Sequence, residues 1–372
     1  MVSRWIPLGQ GNAADPSTFS ARIKGLFKQP PVENLMSMKC FLSLLIIWLG
    51  AFQLSTACGE TTTILFLAGE RSHKSGEHEF NAGCQLLAKA LNEQSGLDVH
   101  ATVIHGWPED ESVFNEVDAV IIYSDGTKVI SHGWEKADRL AKTGVGFMFM
   151  HYAVHPSPEE GERFFRPWIG AAMETGWSVN PHWVADLRTL PDHPISNGIT
   201  DLVRAYDEFY YNMRFQKDRD RVLDLVTAVP TENRLKRVIN LWNQHGVDGI
   251  GKTQTLMWGV ERQDGGRGVG FTGGHYHRNW AIDDFRKIVL NAIVWVAGLD
   301  VPENGVASQS LTEKDLNANL DKYPTENPWI PLPNVEEFMK LPAATNVSME
   351  DYNAAAAAKK KQLAKKRKAA KN

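Results

Sequence analysis

The chain has 372 residues, 43% of them apolar, a composition that suits one globular domain with appendages and excludes a fibrous or disordered protein. Its formal charge of −4 hides an asymmetry: Lys359 to Asn372 carry eight Lys or Arg and no acid, so the remainder stands at −12, a poor match for a nucleic-acid backbone. Three cysteines, Cys40, Cys58 and Cys84, are too few for a disulfide framework, and none forms a C-x-x-C pair.

In chain order, the first feature is an uncharged run from Cys40 to Leu54, preceded by Lys39 and followed by the small residues Ser55, Thr56 and Ala57. It reads as the apolar region and cleavage site of a secretory signal, too short for a comfortable membrane span. The expectation is an upstream extension over 1–35, a signal peptide over 36–57 with its start at Met36 or Met38, and an exported mature chain, periplasmic or extracellular. Lipidation at Cys58 is the alternative, but it wants an aliphatic residue three positions earlier, where Ser55 stands. If residues 1–35 are translated, the run could instead stay as an uncleaved anchor.

Thr62 to Ala68 is a short buried-strand pattern, followed by a polar loop and a helix from His78 to about Gln94 with Phe80, Leu87 and Leu91 on one stripe. Val99 to Ile104, Ala119 to Tyr123 and Val145 to Met150 repeat the strand pattern, with a helix over about Trp134 to Lys142. Strands alternating with helices predict a doubly wound, mostly parallel, flavodoxin-like α/β sheet. Trp183 to Leu190, Arg221 to Val229, Gln254 to Val260 and Gly268 to Thr272 have little helix between them and predict an antiparallel extension, with a hairpin turn at Asp264-Gly265-Gly266. The GGRGVG run lacks the strand-glycines-helix order of a dinucleotide loop. Ile282 to Gly298 closes the α/β domain, expected over 60–305, as an amphipathic helix. Residues 306–353 predict a wrapping or mobile tail, and 354–372 a solvated basic low-complexity tail whose functional alternative is an anionic surface.

Ligands of open α/β sheets sit outside the carboxyl ends of the strands, so the residues just after strands carry the information. Arg71, His73, Glu77 and His78 follow the first strand, His151, Tyr152 and His155 the fourth, and His275, Tyr276, His277 and Arg278 the last. His275 and His277 share a face if that segment is extended. The bland readings are a turn or core role for His193 before Pro194, an open choice for His182 beside Trp183, surface positions for His100, His105, His132 and His245, and a turn for Trp107-Pro108.

The segments ILFLAGERSHKSGEHEFNAGCQLLAKAL, GVGFMFMHYAVH, SVNPHW, LPDHPISNGI, YDEFYYNMRF and GRGVGFTGGHYHRNW, followed by FRKIVLNAIVWVAG, resemble the ThuA-like (trehalose utilisation) family, and the resemblance covers about residues 62 to 300. It implies the class I glutamine amidotransferase-like fold. That fold places a cysteine nucleophile on the turn after a central strand, but here the turn carries His151-Tyr152, so thiolate-dependent glutamine hydrolysis is not expected. The candidate catalytic residues are His151, Glu208 and His275, which are also the candidates for a divalent metal such as zinc. His73, Glu77, Tyr152, His182, Tyr210, Arg214, His277 and Arg278 are the candidate substrate-binding circle. The resemblance further implies carbohydrate metabolism, with a small-molecule carbohydrate as partner. The expected function is acid-base chemistry, with or without a metal, on a sugar or keto-sugar; the opposing reading is a noncatalytic sugar-binding or scaffold module. The density of titratable groups favours an enzyme, because a pure sugar binder needs amides and aromatics more than histidines.

Overall fold

The computed structural model describes residues 60–199, 202–235, 243–323 and 327–346, with isolated positions between 354 and 369. The signal-peptide and upstream segments therefore lie outside the described residues. No helix among the described residues is long and apolar enough to cross a membrane.

Five strands form the parallel core: β1 (Thr62–Ala68), β2 (Val99–His105), β3 (Ala119–Tyr123), β4 (Gly146–Met150) and, much later in the chain, Arg267–Phe271. Their order, β2-β1-β3-β4 and then the late strand, is the doubly wound flavodoxin order. β3 and β4 are short runs of buried, mostly apolar residues because both of their faces are covered, whereas β2, at the edge, is only half-buried. Alternate residues feed two separate cores. Ile64, Phe66, Ile121, Tyr123, Met148 and Met150 face α1 (Phe80–Glu93) and the long helix Asp283–Val296, whereas Leu65, Leu67, Val120, Ile122, Phe147 and Phe149 face α2 (Trp134–Lys142) and the helical stretch over 158–169.

The other strands are β5 (Ala171–Ala172), β6 (Trp183–Thr189), β7 (Val203–Asp207), β8 (Arg214–Phe215), β9 (Leu223–Ala228), β10 (Gln254–Glu261) and β11 (Arg267–Phe271), and the closing helix is α3 (Asp283–Val296). β10, β9, β6 and β7 form the antiparallel extension. The sequence reading placed β11 in that extension, and the structure corrects it: β11 pairs antiparallel with β10 on one side but parallel with β4 on the other. The tight turn with Gly265 at φ 89 reverses the chain and returns β11 to the parallel core.

β7 was not anticipated, and it matters to the site. Among the described residues β6 pairs with β9 at Arg188↔Thr227 and Thr189↔Val226, with the Leu190 N–H donating to Leu225 just beyond, so most of the β6–β7 ribbon is not paired with β9. The far end of the ribbon, where Trp183 pairs with Asp207, lies against the turn after β11. Residues beyond α3 pack onto this body through buried Val306, Leu316 and Ile330, and Arg204 and Arg234 donate to the carbonyls of Phe338 and Pro342.

Candidate functional site

Four side chains from four strand ends meet in one buried place: His78 after β1, His151 after β4, Glu208 after β7 and His275 after β11. One ligating atom of each lies within 4.8 Å of the others. His151 Nε2 stands 2.9 Å from His78 Nε2 and 3.6 Å from Glu208 Oε2, and His275 Nδ1 stands 3.0 Å from the same oxygen. The three candidates named as catalytic thus come together, and His78 joins them.

Local backbone geometry aims these groups. His151 takes φ 54 at the turn after β4, and His78 takes φ 55 just before α1. Left-handed backbone costs a non-glycine residue about 1–2 kcal/mol, and such strain persists where surrounding structure over-determines it. His78 is locked by its own N–H, which donates to the carbonyl of His275 at 3.0 Å. The left-handed residue also delays α1, which begins at Phe80 rather than at His78. On the opposite wall Asp207, fully buried, accepts from the backbone N–H groups of Glu208, Gly274 and His275 at 2.8, 2.8 and 3.0 Å. One carboxylate therefore fixes two of the four strand ends relative to each other. Gly274 within that turn has φ 113, a conformation closed to most L residues.

Each cluster residue is also held from behind. His151 Nδ1 donates to the carbonyl of Thr272 at 3.0 Å, which leaves the Nε2 lone pair facing the cluster in the neutral ring. His78 Nδ1 lies 2.7 Å from Ser72 Oγ and 3.8 Å from Asp125 Oδ1. Glu208 Oε1 is taken by His182 Nε2 at 3.2 Å and by the Asn180 amide at 3.1 Å, so Oε2 is the oxygen that faces His151 and His275. Tyr210 O–H lies 3.1 Å from His151 Nε2.

The electrostatics divide the histidines. Burial pushes the His78 imidazole well below its ordinary pKa, and the neighbouring His151 and His275 push it further. Burial, aided by His275, lowers His151 to about 4. For His275 burial also acts downward, but Glu208 and Glu77 outweigh it and raise the ring to about 9. Burial opposes the Glu208 charge, yet His182 and His275 hold this carboxyl below the usual range. At neutral pH the cluster thus carries a carboxylate, two neutral imidazoles and one imidazolium.

Of the proposed outer circle, His182, Tyr210 and Glu77 are in place; Glu77 Oε2 lies 3.7 Å from His275 Nε2. His73 sits exposed at the rim with its ring 3.7 Å from that of His78, and Tyr152 packs edge-on to Tyr210 at 6.2 Å. Three others of the circle have partners outside the four-residue cluster. Arg214 is paired with Glu174 at 2.8 Å and lies over the Trp177 ring, so a carboxylate and an aromatic face already engage it. His277 is buried with Nε2 at 3.1 Å from the carbonyl of Leu316, because the chain coils from His277 to Ala281 and the alternation of an extended segment does not apply. Arg278, on the same coil, lies over the Tyr276 ring at 5.3 Å. His193 accepts from the Ile195 N–H as a turn residue, and Cys84 is buried on α1. The turn after β4 holds an imidazole where a thiolate mechanism would need a cysteine. The sequence places His78 after the first strand but gives no sign that it enters the site, and Asp207 went unnoticed because it ends β7, a strand that no sequence pattern announced.

Residues 64–296 match the family described as ThuA, trehalose utilisation. Among solved structures, the chain is similar to a thua-like protein from Parabacteroides merdae at 18% identity and a TM-score of 0.48, covering 70% of this chain and 100% of that one. A thua-like protein from Bacteroides uniformis follows at 14% identity and a TM-score of 0.43, with 66% and 95% covered. PurLQS from Thermotoga maritima matches at 12% identity and a TM-score of 0.34, with 63% and 99% covered. No curated protein matches the chain.

Proposed function

The chain belongs to the ThuA family of trehalose utilisation, and from that premise we propose that it is an enzyme acting on a sugar or keto-sugar by acid-base chemistry at the His78–His151–Glu208–His275 cluster. One observation carries the reading: four titratable side chains from four strand ends share one buried space, where a sugar-binding module would present amides and aromatic faces. A positive centre is held over His275 between Glu208 and Glu77, suited to polarising a carbonyl or hydroxyl oxygen. Groups able to pass a proton adjoin it. Tyr210 lies within hydrogen-bond reach of His151, and His182 links Glu208 outward to the Tyr276 hydroxyl at 3.0 Å.

A hydroxyl-rich ligand suits the rim, where His73, Tyr152 and Tyr276 offer donors, acceptors and ring faces. The test is product analysis of purified protein incubated with trehalose, other disaccharides and their 3-keto forms. Conversion of at least one of these, abolished in His151→Asn, is the expected result. Saturable binding of the same sugars with no conversion would overturn the reading in favour of a binding module.

A further inference from the structure

We propose that His78 Nε2, His151 Nε2, His275 Nδ1 and Glu208 Oε2 are the ligands of one divalent first-row transition ion of the zinc class. The inference rests on the reading of this cluster as the working site, and it names what completes that site. Three imidazole nitrogens and one carboxylate oxygen are a borderline donor set, which zinc and its neighbours take and which the hard ions magnesium and calcium do not favour.

The spacing fits. Ligands 2.0–2.1 Å from a tetrahedral ion stand about 3.3 Å from each other. Here the measured edges are 2.9, 3.0 and 3.6 Å, and the whole set falls within 4.8 Å.

The surroundings fit as well. A metal-binding histidine characteristically commits its other nitrogen to an oxygen partner, and a metal-binding carboxylate is itself anchored. His151 Nδ1 is committed to the Thr272 carbonyl, His78 Nδ1 to Ser72 Oγ with Asp125 Oδ1 behind it, and Glu208 Oε1 to His182 and Asn180. Every one of these bonds turns the remaining donor atom inward. Asp125 Oδ1 lies 3.8 Å from His78 Nδ1 and the exposed His73 ring lies 3.7 Å from the His78 ring; these two could gather round an ion only with His78 as the shared ligand, and the buried set of four uses its Nε2 instead.

An independent observation comes from His275. Its side chain is 3% exposed, yet neither ring nitrogen makes an aligned hydrogen bond, although Glu208 Oε2 lies 3.0 Å from Nδ1 and Glu77 Oε2 lies 3.7 Å from Nε2. Buried polar atoms are nearly always satisfied. A network without a cation can serve His78 and His151 through one bond between their Nε2 atoms, but it holds His275 only by unaligned ion pairs to Glu208 and Glu77. An ion at the centre gives Nδ1 a partner, displaces the proton of that ring and takes over as the positive centre.

The test uses the full chain, purified without added metal and then stripped with a chelator. Elemental analysis before stripping should find one ion per chain. Cobalt(II) titrated into the stripped protein should give ligand-field absorption bands that saturate at one equivalent and disappear on adding zinc. His78→Asn keeps a side chain that tolerates left-handed backbone and should weaken cobalt affinity by at least about 100-fold, beyond the loss typical of an outer partner. His193→Gln should leave it unchanged, and circular dichroism establishes that both variants are folded. If His78→Asn does not fold, the stoichiometry and spectrum of the wild-type protein decide. Substoichiometric metal with no ligand-field bands, or unchanged cobalt affinity in folded His78→Asn, overturns the proposal. Sugar conversion by fully stripped protein likewise overturns it while leaving the acid-base reading intact; one tightly held ion with no sugar converted supports the metal site and overturns that reading.

Discussion

Single side chains at this site divide into those that do chemistry and those that hold the first set in place. Asp207 is of the second kind: its two oxygens gather backbone N–H groups from both the β7 end and the turn after β11. Asp207→Asn keeps the shape but loses acceptor capacity, so about 1–3 kcal/mol of stability should go, as for a buried donor left unsatisfied. Turnover should fall more than stability because Glu208 and His275 lose their common anchor; urea unfolding beside steady-state kinetics measures both. Cys84 is the opposite case. Burial on α1 raises its thiol far above the ordinary range, so no thiolate exists there at neutral pH. Cys84→Ser should leave turnover within experimental error, and alkylating reagents should not inactivate the folded protein. Stoichiometric inactivation traced to Cys84 would contradict this assignment.

At the scale of elements, β1, β3 and β4 were legible because continuous apolar runs bounded by polar loops have few other readings, and α1 and α3 announced themselves by stripe spacing, whereas the hairpin before β11 hid its place in the parallel core. β7 was not legible, since VRAYD mixes charge with small apolar residues and, among the described residues, it pairs with β6 alone. Glu208 was found from the oddity of its polar and aromatic setting, whereas His78 was absorbed into the helix it precedes. Its left-handed backbone comes from a tertiary bond to His275, which no local pattern displays. His277 was misread for the converse reason: the chain leaves extended geometry immediately after Tyr276. It anchors the segment that carries Leu316, so His277→Ala should lower stability by about 1–3 kcal/mol through the orphaned carbonyl, and by more if a cavity remains. Turnover per folded molecule should be unchanged. A loss of turnover matching that of His151→Asn, with no change in Tm, would return His277 to the site.

The whole molecule is a device for bringing distant segments to one edge of a parallel sheet, with β11 returning to the core after a long antiparallel excursion. The cost of collecting titratable groups there shows in stability against pH. His78 and His151 in the cluster, and His155, His193 and His277 outside it, are held below their ordinary pKa chiefly by burial. The unfolded chain therefore binds protons first as pH falls below 6.5, and stability drops on that side. His275, raised to about 9, contributes fully below 6.5 and loses its contribution as pH rises through 9. Chelator-stripped protein should accordingly melt highest near pH 6.5–7, with a steeper fall on the acid side, where several histidines act against one; a flat Tm from pH 5 to 9 would contradict the assignment.

At the same scale we propose export, on the uncharged run from Cys40 to Leu54. N-terminal sequencing of native protein should then read from Cys58, and an intact Met1 on native protein would contradict it.

The claim on which all of this turns is that residues far apart in sequence act as one unit. It is tested most directly by a double-mutant cycle on sugar conversion, comparing kcat/KM for wild type, His151→Asn, Glu208→Gln and the pair. Either single change should remove most of the activity, and the double variant should lose little more, because removal of one member of a working unit forfeits most of what the unit supplies. Losses in folded variants that simply multiply, or a single variant that retains wild-type turnover, would mean that His151 and Glu208 are neighbours in space with no shared task.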